Sequence, residues 1–276
     1  MRSTLVIGLV VIAILLGTPT LATFTGQTDR SVGLASGPPS VRPSLDYAGR
    51  MVAAAQLAAG RMTLGTAVLD LATGELEQEG AQQFYSASLS KLMLVVDLLD
   101  RDVGLSTEDY GLIGRALSLS DDDAMNALWV KFGGPAAMTR VASTLDMAGT
   151  RAPDDPSQWG EIEVSPTGFA RLYQHILTEM DPADRTVVVN ALSAAQPRAA
   201  DGFNQFFGLL GQPGQIYAKQ GWMYYGSRLY LHSAGVVHAN SRDFVVVLMS
   251  IQPISANARA AITAVAAATL APLGQT

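Results

Sequence analysis

Ala87-Ser88-Leu89-Ser90-Lys91-Leu92-Met93 sets a serine three residues before a lysine, at the head of a run that is apolar almost throughout. The run continues through Leu94, Val95, Val96, Leu98 and Leu99. A helix that is apolar on nearly all sides is a buried helix, so the pattern predicts one over 88–99. Residues three apart share a helix face, which brings Lys91 Nζ towards Ser88 Oγ. Serine is a weak nucleophile until a base takes its proton. Burial pushes a lysine towards its neutral, basic form, and the positive end of a helix works in the same direction. Lysine is scarce in this chain: Lys91, Lys131 and Lys219 are the only three, and every other cation is arginine. Arginine stays charged, whereas a buried lysine can lose its proton.

Two further short stretches carry the same chemistry. Ser120-Asp121-Asp122 precedes a helical pattern, and Lys219-Gln220-Gly221 lies on a predicted strand. Around them the chain reads in order. Ser44 and Asp46 can cap a helix running to about Ala59. Met62 to Leu71 and Glu75 to Glu79, turning at Ala72-Thr73-Gly74, read as a hairpin. Helical patterns follow at 106–118, 121–132, 135–147, 166–179 and 182–194. Ser165-Pro166 and Asp181-Pro182 each place a cap before a first-turn proline. Gln215 to Trp222, Arg228 to His238 and Phe244 to Gln252 read as three strands, and an alanine-rich helix covers Asn257 to about Thr269. Strands at both ends with helices between them predict an α+β fold. One antiparallel sheet is built from both chain ends and flanked by helices, with an all-helical lobe inserted.

The 276 residues suit one domain or two small lobes. At 49% hydrophobic and 15% charged, the chain can bury a sizeable core. A net charge of −6 argues against nucleic acid as a partner. The chain has no cysteine, which excludes disulfides, thiolate nucleophiles, cysteine zinc sites and a lipidated N-terminal cysteine. Arg2, the apolar run Leu5 to Leu16, Gly17-Thr18-Pro19 and small residues around Ala22 form the pattern of a secretory signal. The run is short of the roughly 20 apolar residues of a spanning helix, although extension through Phe24 would make an uncleaved anchor. The expected organisation is a signal or anchor over 1–25, a Gly/Ser/Pro-rich linker over 26–42, and one folded body over 43–276. The expected protein is exported, touches a membrane only through its N-terminal segment, and is a monomer.

Taken together, the three stretches resemble the serine penicillin-recognising superfamily of class A β-lactamases and D-alanyl-D-alanine peptidases, over roughly residues 45–275. Ser88-Leu89-Ser90-Lys91 resembles its S-x-x-K nucleophile motif. Ser120-Asp121-Asp122 resembles S-D-N with its last residue changed, and Lys219-Gln220-Gly221 resembles K-T-G with its middle residue changed. Gly133-Gly134-Pro135, Ser165-Pro166 and Gln252-Pro253 are smaller echoes. The resemblance implies that Ser88 is the nucleophile, Lys91 the base and Ser120 the proton relay. It implies that Asp122, Lys219, Gln220, Gly221 and Trp222 bind substrate, with Lys219 anchoring an anionic group. The N–H groups of Ser88 and Trp222 would form an oxyanion hole. The implied substrate is a β-lactam, a peptidoglycan stem peptide or a related amide or ester, and no metal or organic cofactor is called for.

Four departures qualify that expectation. An ionised Asp122 cannot donate to a substrate carbonyl as an amide does, and it would favour a protonated Lys91. Gln220 replaces a hydroxyl residue. Ser120 follows Ser88 more closely than is usual in the family, which predicts a reduced helical lobe and a more open cleft. The deacylating motif E-x-x-L-N is absent, and among Asp154, Asp155, Glu161 and Glu163 the best substitute is Glu161. Efficient β-lactam turnover is therefore doubtful, and a retired enzyme that binds a cell-wall ligand is the alternative. A Ser–His–Asp triad lacks its G-x-S-x-G elbow, and the three histidines form no zinc motif. His232, on the strand beside Lys219, is a candidate for the cleft. His175 reads as a helix-surface or satisfied core residue, and Lys131 as ordinary surface at a helix end. Trp222-Met223-Tyr224-Tyr225 either lines the cleft or forms a bulky hairpin end.

Overall fold

Both chain ends supply the sheet, as the strand pattern predicts. β1 (Thr63–Asp70) and β2 (Glu75–Gly80) form the early hairpin, and β3 (Phe84–Tyr85) pairs with β4 (Glu163–Val164) in a separate small ribbon. β5 (Gln215–Tyr225), β6 (Arg228–Ala239) and β7 (Arg242–Pro253) are long consecutive strands. The main sheet runs β2-β1-β7-β6-β5 with every neighbouring pair antiparallel. β7 bridges the halves: Leu69 stands opposite Val245, and His232 opposite Met249. These positions come from a computed structural model that describes residues 46–274. The expected targeting segment, linker and first residues of the body lie outside the described residues.

Alternation along the strands builds two cores. On one face Val68, Phe244, Val246, Leu248 and Leu231 pack with α1 (Tyr47–Ala58) and α8 (Ala258–Leu270). On the other, Ala67, Leu69, Val245, Val247 and Met249 meet the helical lobe. That lobe comprises α2 (Ser90–Asp100), α3 (Thr107–Ser118), α4 (Asp122–Phe132), α5 (Gly134–Thr144), α6 (Pro166–Thr178) and α7 (Pro182–Ser193). The buried side chains of α2 include Leu92, Met93, Leu94, Val95, Val96, Leu98 and Leu99, as an all-round apolar helix requires.

The caps explain where the helices begin. Asp46 accepts from Gly49 N, Ser165 from Gly168 N and Asp181 from Ala183 N. Ser106 and Asp109 form a reciprocal capping box on α3. Lys131 does more than decorate a surface: its Nζ lies 2.6 Å from Asp109 Oδ1, which ties the end of α4 to the start of α3. The predicted 88–99 helix is divided, because Ala87 to Leu89 form a tight 3-10 turn before α2 begins.

Candidate active site

Two non-glycine residues with left-handed backbone flank the cleft, Ala87 (φ 46) and Ser120 (φ 51). That conformation is unfavourable for residues with a Cβ and persists where the surroundings fix it, commonly at functional sites. At Ala87 it turns the chain from β3 into the 3-10 turn that carries Ser88. At Ser120 it breaks the path from α3 into α4, where Asp121 caps the new helix through Ala124 N. Arg115 anchors Asp121 in turn, with its Nε 2.8 Å from Asp121 Oδ2.

The expected groups meet at this junction. Lys91 Nζ lies 2.7 Å from Ser88 Oγ and 2.7 Å from Asp122 Oδ1. Lys219 Nζ lies 2.8 Å from Ser120 Oγ and 2.8 Å from the Gln220 carbonyl. The Lys91 side chain is fully buried, whereas that of Asp122 is 61% exposed. Burial pulls the Lys91 ammonium below the usual lysine range, with Asp122 pulling the other way. Burial, reinforced by nearby Lys91, sets Lys219 well below that range. Two lysines biased towards the neutral amine therefore each touch a serine hydroxyl.

Gly221 lets β5 pass close to the nucleophile turn. A Cβ there would meet the Ser86 carbonyl at 3.1 Å and Leu89 Cγ at 3.2 Å. Gln220 sits differently from the expectation that it binds substrate. Its Nε2 donates 3.2 Å to the Gln205 carbonyl and also to the Phe207 carbonyl, and the residue does not line the cleft. The reason is strand alternation: neighbours on a strand point to opposite faces, so Gln220 faces the 205–208 loop while Lys219 faces Ser120. Lys219 is itself only 1% exposed, behind Ser120 rather than at the cleft surface.

The cleft itself measures about 440 Å³ and is lined by Ser88, Asp122, Asn126, Trp159, Asp201 and Trp222, among others. Three of these were not singled out as site residues in the sequence. Asn126 sits one helical turn beyond Asp122 on α4, so its spacing alone could have placed it beside the site. Its Oδ1 accepts from Trp159 Nε1 at 2.9 Å, and the Trp159 ring centre lies 4.2 Å from Lys91 Nζ. Asp201 Oδ2 accepts from Trp222 Nε1 at 3.0 Å, and Trp222 stacks on Phe203 with ring centres 4.8 Å apart. No local spacing rule foretells the Trp159 or Asp201 contacts.

Of the aromatic cluster, Trp222 and Met223 line the cleft, while Tyr224 and Tyr225 are exposed at the hairpin end. His232 is corrected as a cleft candidate. It is fully buried in the sheet, with Nε2 2.8 Å from the Tyr85 carbonyl and Nδ1 3.2 Å from Ser250 N. His175 is satisfied by Asp100 and Glu179. Glu161 does not line the cleft. Among the described residues, no group of His, Asp and Glu side chains could hold a metal ion.

Comparison with known proteins agrees with this fold. The model of a family described as the beta-lactamase enzyme family matches residues 104–272. A protein of Mycobacterium tuberculosis and Mycobacterium bovis, whose assigned name LppW is that of a candidate lipoprotein, is 35% identical over 247 residues. The match covers 84% of this chain and 74% of that protein. Among solved structures, the chain is similar to a β-lactamase from Streptosporangium roseum (17% identity, TM-score 0.66, covering 83% of this chain and 100% of that one). It is similar also to a class A β-lactamase from Mycobacterium abscessus (16%, 0.65, 83% and 99%) and to a β-lactamase from Sphaerobacter thermophilus (19%, 0.64, 83% and 98%).

Proposed function

The chain belongs to the beta-lactamase enzyme family, and on that premise we propose that it is an exported serine acyl-enzyme hydrolase or transferase. Its substrate is a β-lactam, a peptidoglycan peptide or a related amide or ester. The observation that carries this reading is a fully buried Lys91 whose Nζ lies 2.7 Å from Ser88 Oγ. As its amine, Lys91 takes the Ser88 proton while Oγ attacks the substrate carbonyl. The N–H groups of Ser88 and Trp222 receive the oxyanion. Ser120 delivers a proton to the leaving group, held in place by Lys219.

The reading also accounts for the buried cationic side chains and the left-handed backbone of Ala87 and Ser120. Export, and tethering if the segment is not cleaved, come from the N-terminal residues alone. The mycobacterial relative's name does not carry a lipid anchor across, because this sequence has no cysteine to bear one. No helix among the described residues is long and apolar enough to cross a membrane.

The test is covalent labelling of the folded body with a fluorescent penicillin. Wild type is labelled, Ser88→Ala is not, and Lys91→Ala is labelled far more slowly. Unlabelled wild type with native circular dichroism would sink the proposal. It would favour the second reading, a retired enzyme that binds a cell-wall ligand, for which Gln220 turning away from the cleft is the motivating observation. That reading predicts ligand binding indifferent to Ser88→Ala.

A further inference from the structure

The acyl-enzyme chemistry just proposed needs a second half-reaction, and the segment after α5 supplies no carboxylate for it. What that segment brings over Lys91 is the Trp159 indole, pinned by Asn126. Its acids are placed elsewhere: Asp146 pairs with Arg171 and Glu163 with Arg151, Asp155 Oδ1 caps Ser157 N, and Asp154 and Glu161 lie outside the cleft lining. Lys91 is fully buried, so a hydrolytic water cannot reach it.

Two carboxylates do line the cleft, those of Asp122 and Asp201. Asp201 has both oxygens in use, with Oδ1 accepting from Phe203 N at 2.8 Å and Oδ2 from the Trp222 indole. Asp122 is placed differently. Its Oδ1 rests on Lys91 Nζ, which also touches Ser88 Oγ, so carboxylate and nucleophile are no farther apart than two hydrogen-bond lengths. The side chain is 61% exposed, leaving the rest of the carboxylate open to the cleft.

We propose that Asp122 is the catalytic base of deacylation, a role moved from the segment after α5 to the first turn of α4. This rests on Ser88 being the nucleophile. The water oxygen bonds to the ester carbonyl carbon as Asp122 takes one water proton. The tetrahedral intermediate collapses, the bond from carbon to Ser88 Oγ breaks, and the substrate leaves as a carboxylic acid. The proton held by Asp122 returns through Lys91 Nζ to Ser88 Oγ, which restores the resting site.

The experiment pulses wild type, Asp122→Asn, Asp122→Glu and Glu161→Gln with a penicillin, removes the excess, and follows the adduct by intact mass. Wild type and Glu161→Gln should lose the adduct at similar rates. Asp122→Asn should hold it at least about 100-fold longer, the lower range of a general base's contribution. Asp122→Glu, which keeps a carboxylate, should recover part of the rate. The inference is overturned by Asp122→Asn decaying at the wild-type rate, by Glu161→Gln being the variant that stalls, or by a wild-type adduct that never decays. Were Asp122→Asn to resist labelling, Asp122→Glu would decide: an adduct that decays supports the inference, and a permanent adduct overturns it. Unlabelled wild type would instead fail the nucleophile reading, and this inference with it.

Discussion

Tyr173→Phe should destabilise the protein by removing a hydroxyl that stands inside the sheet ladder. Tyr173 lies on α6 and is fully buried. Its Oη donates to the Ala234 carbonyl at 2.6 Å and accepts from Lys219 N at 3.2 Å. Lys219 and Ala234 are register partners on β5 and β6, so the hydroxyl bridges two strands exactly where Lys219 must be aimed at Ser120. Deleting it removes one hydrogen bond from the buried Lys219 N–H and one from the buried Ala234 carbonyl, each worth about 0.5–1.5 kcal/mol. Because the two groups face each other, a small strand movement recovers part of that loss. The net expectation is about 2 kcal/mol. For a domain of this size that lowers Tm by roughly 4–8 °C, read by thermal circular dichroism or by a urea midpoint. Labelling of Ser88 should also slow, since the strand carrying Lys219 loses its anchor. A Tm within about 1 °C of wild type, with unchanged labelling, would refute the idea that this hydroxyl holds β5 in place.

Other outcomes follow from the same contacts. Burial depresses His232 to about 4 from the usual 6.5. The unfolded chain therefore binds the extra proton first, and stability should fall by roughly 3 kcal/mol as pH drops from about 6.5 to 4. His232→Asn should flatten that window in pH-dependent urea titrations; an unchanged slope would count against it. Asp109, held near 2 chiefly by Lys131 and then by Ser106, contributes stability that is present above about 4 and lost as pH falls towards 2. Lys131→Met should reduce that low-pH loss. Asp97 is buried and ligates Arg101 at 2.9 Å and Arg140 at 2.8 Å, so Asp97→Ala should cost about 1–3 kcal/mol in urea unfolding with little change in Ser88 labelling.

Most of the architecture is legible because each element carries a local signal. Ser165 and Asp181 announce the starts of α6 and α7, and the all-round apolar pattern of α2 announces its burial. β3 and β4 are not legible, since two residues are too few to show alternation. Nor is the 3-10 turn over Ala87–Leu89, which takes the first residues of a run that reads as one continuous helix over 88–99. At the site, Ser88 and Lys91 follow from helical spacing, while the junction of Ser120 with Lys219 depended on a resemblance. Gln220 is legible in principle, because it follows Lys219 directly on a strand and successive side chains there point to opposite faces. Trp159 and Asp201 reach the cleft through contacts far apart in sequence, for which no periodicity exists.

The central claim is that Ser88 is an activated nucleophile, and peptide mapping after acylation tests it most directly. The folded body, treated with a penicillin and digested, should carry the added mass on the peptide containing Ser88, with the modification on Oγ and none in Ser88→Ala. Acylation confined to another residue, or none in well-folded protein, would contradict the account.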